Sequence, residues 1–143
     1  MSDPARKTIF QALLLAAQAF PLPSGIQRAD PGVTYAPSAE SKFVSVEIHF
    51  NRSIRTDLSQ EIGPIRQGFM RLNVMWPKKS AIVDAHDLSA QLEDAFKAGT
   101  KLYRNGLQVR IDEDPEASSL ITGDTHYTVP LTIRWVCYPT VPA

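Results

Sequence analysis

Asp84, His86 and Asp87 form a tight grouping of metal-ligating residue types. Their spacing works against a shared ion, because on a helix His86 points about 160° away from Asp84. They read as charges on a solvated helix face. The run Asp112-Glu113-Asp114-Pro115-Glu116 holds four carboxylates. It lacks the spaced ligands and the glycine of a calcium loop, so a solvated turn is expected there. Cys137 is the only cysteine, which excludes an internal disulfide, and it falls on the apolar side of a strand pattern. A buried, inert thiol is the expected reading. His49 and His126 lie on the polar sides of two strand patterns and could approach each other. No Ser, His and Asp are marked as partners, and G-x-G-x-x-G, P-loop, paired C-x-x-C and H-E-x-x-H motifs are absent. No catalytic, cofactor-binding or metal-ligating residue, and no cofactor, is therefore expected.

The remaining candidate chemistry is cationic. Asn51–Gly68 is a polar stretch carrying Arg52, Arg55 and Arg66 with Asp57 and Glu61. It is too long for a tight turn, and loops of this length are usually functional or disordered. Arg52, Arg55 and Arg66 could meet acids on a neighbouring subunit or a phosphate backbone; the alternative is a solvated loop.

This stretch separates two arms that alternate with period two. In Phe43–Phe50, Val44, Val46, Ile48 and Phe50 share a side; in Phe69–Trp76, Met70, Leu72, Val74 and Trp76 do. Such alternation, rich in β-branched and aromatic residues, marks half-buried strands. Pro77 ends the second arm. Ahead of them, Asp3-Pro4 opens a helix whose stripe is Ile9, Leu13, Ala16, Ala17 and Phe20, stopped by Pro21, Pro23 and Gly25. Leu14 widens the margin of this stripe, and Leu15 lies opposite it. Leu15 is either part of a subunit contact or a single exposed leucine. Arg6 and Lys7 before Leu13–Ala17 give a faint outline of a signal peptide, but an amphipathic helix fits better.

Gly25–Lys42 reads as a connector. Ala81–Lys97 forms a second helix with the stripe Ala85, Leu88, Leu92, Ala95 and Phe96, capped by Ser80 or Asp84 and stopped by Gly99. Lys101–Arg104 and Leu107–Ile111 flank Asn105-Gly106, a two-residue hairpin signal. The last strand runs from about Thr125 to Tyr138, and Pro130 within it favours an edge strand or a bulge. The order helix, two strands, helix, three strands predicts one α+β domain over residues 1–143. Its sheet is largely antiparallel, mixed, of about five strands, with both helices packed on one face.

The 143 residues include 15 basic and 15 acidic side chains, giving a net charge of zero. A duplex-binding protein usually carries a basic excess, so tight nucleic-acid binding is not expected. No apolar run reaches the ~18 residues of a membrane span, and no membrane partner is expected.

Over nearly all its length, from the N-terminal helix to the last strand, the chain resembles the tail terminator proteins of long-tailed, siphovirus-like bacteriophages. The resemblance rests on the strand Phe43–Phe50, the Gln67-Gly68-Phe69 entry into the second strand and Trp76-Pro77. The helix Leu88…Leu92…Phe96 and the ending Tyr127-Thr128-Val129-Pro130-Leu131 also carry it. It implies a structural virion protein, not an enzyme, assembled in the host cytoplasm. Such a protein forms a homo-oligomeric ring, usually of six copies, on the head-proximal end of the tail tube. Its partners are the tail tube protein and the head-tail connector, and DNA passes through the ring without specific binding. On this reading Arg52, Arg55 and Arg66 dock to the tube or a neighbour, and Leu15 belongs to the ring contact. Another neck or completion protein is the near alternative, and a small ligand-binding or catalytic α+β domain the distant one.

Overall fold

A computed structural model describes residues 4–32, 37–51 and 65–138. The elements are α1 (Pro4–Ala19), β1 (Ile26–Ala29), β2 (Lys42–Phe50), β3 (Arg66–Pro77) and α2 (Ile82–Ala95). They are followed by β4 (Lys101–Arg104), β5 (Leu107–Ile111), β6 (Glu116–Ala117), β7 (Ile121–Thr122) and β8 (His126–Cys137). Among the described residues all eight strands join one sheet in the order β1-β2-β3-β8-β5-β4, with β6 and β7 also on β8. Only β1 and β2 run parallel. The α+β class and the mixed, mainly antiparallel sheet match expectation, but the count of about five strands falls short. The three extra strands are four residues long or shorter. Too few residues alternate in such segments to produce a period-two signal.

The centre of the sheet is built by register. Val44, Val46 and Ile48 of β2 face Val74, Leu72 and Met70 of β3, which in turn face Val129, Leu131 and Ile133 of β8. Cross-strand partners point the same way, so these nine side chains pave one face. Ile9, Leu13 and Ala17 of α1 and Ala85, Leu88 and Leu92 of α2 join them in a single buried cluster. Each large apolar side chain buried there contributes about 1.5–3 kcal/mol. Both helices therefore pack on one face, and the other face presents Glu47, His49, Phe69, Arg71, Asn73 and Thr132.

At one end of this centre, Gly68 lies between Phe50 of β2 and Trp135 of β8. A Cβ on Gly68 would collide with the backbone carbonyl of His49 and come within 2.7 Å of the Trp135 ring. The Trp135 indole occupies the space a side chain would take, and Phe50 meets it edge-on with ring centroids 5.1 Å apart.

Local departures have local causes. β3 begins at Arg66 rather than Phe69, because Arg66, Gln67 and Gly68 pair with Cys137, Val136 and Trp135. β8 is central, not an edge, despite Pro130. The Pro130 carbonyl accepts the Ser118 N–H at 2.8 Å, so the missing N–H of Pro130 faces the same side. That side is tiled by short strands, with β6 pairing at Leu131–Thr132 and β7 at Tyr127–Thr128, and Pro130 falls between them. In α2 the N-cap is Ala81 with no side-chain cap bond, in place of Ser80 or Asp84; Asp84 sits in the first turn, where its charge suits the helix dipole. Ala95 is exposed and Ser89 takes the buried place on the stripe. The hairpin turn at Asn105 (φ 48°) and Gly106 (φ 82°) is as expected.

Gly68→Ala is expected to cost roughly 1–3 kcal/mol through overpacking, read as a lowered thermal midpoint. A conservative change at exposed Lys79 should leave the midpoint within a degree or two, roughly ±0.5 kcal/mol.

Candidate functional site

The grouped acids and histidines do not assemble a reactive centre. Asp84, His86 and Asp87 are all exposed on α2, and Asp87 accepts a 3.0 Å hydrogen bond from Gln91. Among the described residues no group of three His, Cys, Asp or Glu could hold a metal ion. His49 and His126 are not brought together. His49 stacks on Phe69 with centroids 4.6 Å apart and lies 3.3 Å from Glu47. His126 is buried at the far end, its Nε2 2.7 Å from the Ser41 carbonyl and its Nδ1 2.9 Å from Thr125 Oγ1. Their β3 partners, Phe69 and Pro77, are eight positions apart, about 26 Å along a strand. Cys137 is buried, and burial pushes its thiol above the ordinary value of 9.0, with the Arg66 charge opposing the shift.

The acidic run is exposed yet tied down. Asp112 lies 3.9 Å from Arg110 and Glu113 lies 3.6 Å from Arg134. Asp114 accepts the Ala98 N–H at 2.9 Å.

A largely apolar surface lies beside α1. Phe10, Leu14, Ile48 and Phe50 floor a groove of about 640 Å³ between α1 and β2, with Arg6, Lys7 and Gln11 on its rim. The Arg6 guanidinium stands 4.8 Å from the centre of the Phe50 ring. Gln11 is fixed by accepting the Arg104 Nε–H at 3.1 Å. Leu15 is 46% exposed. Lys7, Gln11 and Leu15 follow one another at four-residue spacing, so Leu15 extends the groove's rim row.

Of the other exposed large apolar residues, Val83, Tyr103, Leu120, Ile121 and Tyr138, Leu120 ends the β6–β7 turn and Ile121 opens β7. Neither this turn nor the groove was flagged by residue pattern, although Leu14 at the helix margin marks one wall of the groove. Of the three arginines, Arg66 belongs to β3 opposite Cys137 rather than to a loop. Arg52 and Arg55 lie outside the described residues. Among the described residues no helix is long and apolar enough to cross a membrane.

The family model described as phage tail terminator protein matches residues 8–135. Seven chains of solved structures match. One of them, 21% identical, superposes with a TM-score of 0.74, covering 100% of this chain and 99% of its own length. At that identity the likeness speaks for the fold. None of the curated proteins compared matches.

In the native protein Cys137 should resist a thiol reagent at pH 8 and react stoichiometrically once denaturant is added, measured as released chromophore. On the expectation that Leu15 belongs to a subunit contact, Leu15→Asp should weaken self-association, read by size-exclusion light scattering, while shifting the thermal midpoint by no more than a few degrees, since an exposed position carries roughly 0.5 kcal/mol.

Proposed function

The chain belongs to the phage tail terminator protein family, and we propose on that premise that it forms a ring closing the head-proximal end of the tail tube. It is a structural component of the phage tail. In the proposed role a ring, six copies by family resemblance, seats one face on the last tube ring and stops polymerisation. Its other face receives the head connector, and assembly takes place in the host cytoplasm. The observation that carries this reading is the family match, which spans residues 8–135 and so takes in most of α1, all of α2 and nearly all of the sheet.

The physical features support it. A ring requires a heterologous contact, in which two different patches of the same chain meet and the rotation closes. The α1–β2 groove and the β6–β7 turn are two such patches. A chain of zero net charge suits a channel through which DNA passes, because firm phosphate binding draws on clustered Lys and Arg. In this reading the protein is architectural and performs no catalysis. Arg52, Arg55 and Arg66 remain proposed docking residues toward tube or neighbour; with Arg66 placed in β3, the burden of that role rests on Arg52 and Arg55.

Inactivating this gene alone and measuring tails by electron microscopy tests the proposal. Overlong tails without heads are expected. Tails of normal length that fail to join heads would instead assign the chain to head completion.

A further inference from the structure

Charge is segregated along this neutral chain. Helix α1 carries Arg6 and Lys7 and no acid. Residues 112–124 carry Asp112, Glu113, Asp114, Glu116 and Asp124 and no Lys or Arg. Each charged region also holds apolar surface. On α1 this is the groove floored by Phe10, Leu14, Ile48 and Phe50. In the acidic region it is Leu120 and Ile121, at 40% and 55% exposure, inside a stretch exposed from Glu116 to Thr125. A concave apolar surface with a basic rim thus has a counterpart in an exposed apolar pair between acids.

The two cannot meet within one molecule. Ile121 pairs with Thr128, whereas Phe50 reaches Trp135 through Gly68. Seven positions along β8 and three strand spacings across the sheet separate them, roughly 27 Å. They also open on different faces. Ile121 shares the side of Thr128, which bonds Met75 on the helix-free face, and the groove lies on the helix side.

Resting on the ring reading above, we propose that the β6–β7 turn of one copy docks into the α1–β2 groove of the next. Leu120 and Ile121 fill the apolar floor, and Glu116 and Asp124 approach Arg6 and Lys7. Because the patches differ and lie on different faces, the contact is head-to-tail and propagates from copy to copy. The buried apolar pair is the anchor of the interface and the charges fix its orientation.

The test uses the full chain with Leu14→Cys and Ile121→Cys together, Cys137 being buried. Mild oxidation should give a ladder of covalent multimers that reduction collapses. A 1:1 mixture of the two single-cysteine chains should stop at dimers. In parallel, Leu14→Glu alone and Ile121→Glu alone should each run as monomers with unchanged circular dichroism, and their mixture should form dimers but no rings. Rings by native mass spectrometry without the ladder, and undiminished in both Glu variants, would overturn the docking and leave the ring reading standing; the groove would then be covered by another segment or a tail partner. Monomers of the unaltered chain, both free and extracted by crosslinking from assembled tails, would overturn the ring reading and the docking with it.

Discussion

The contact of the Trp135 indole with the bare backbone of Gly68 governs much of this molecule. It lets β3 sit between β2 and β8 with a full-sized aromatic over its first turn of sheet, which no side chain at position 68 would permit. Trp135 then supports Phe50, and Phe50 forms both the end of the core and the floor of the surface groove. Core packing and the candidate assembly surface are thus joined through two rings and one glycine. A change in the buried pair is transmitted to the groove, because close-packed interiors do not absorb volume locally.

A second constraint is that, among the described residues, helices cover only one face of the sheet. The covered face is aliphatic and continuous across β2, β3 and β8. The open face is held by pairwise polar and aromatic contacts. Asn73 donates to Glu47 at 2.6 Å, and Phe69 lies between His49 and the Arg71 guanidinium. Such contacts keep the shape of a half-exposed sheet. The even balance of charge hides an uneven distribution, and the distribution is what gives the chain distinguishable sides.

How much of this could be read from residues alone depends on length. β2, β3, β8, both helices and the Asn105-Gly106 hairpin each contain enough repeats, or a sharp enough turn signal, to declare themselves. β1, β6 and β7 pair through two to four residues and owe their strand geometry to the neighbour they lie against. Pro130 illustrates the same limit. Its missing donor pointed to an edge strand or a bulge, whereas β8 is central and Pro130 falls between two short partner strands in the middle of the sheet. The groove was illegible because its lining residues, such as Leu14 and Phe50, are far apart in sequence and individually ordinary. Leu15 was legible as exposed, but its alignment with Lys7 and Gln11 gains meaning only beside β2. Arg66 was assigned to a loop because polar residues outnumbered apolar ones around it, whereas backbone pairing with Cys137 extends the strand beyond the alternating pattern.

The interrupted side of β8 has a mechanical consequence. β5, β6 and β7 each hold it by two residue pairs, while β3 holds the opposite side by an unbroken ladder from Arg66 to Pro77. Opening the β6–β7 region therefore breaks few backbone bonds and leaves the β3–β8 spine intact, so it belongs to the low end of the local stability range. The result is a stiff beam with a compliant flank, able to settle against neighbours of slightly different curvature without the beam itself bending.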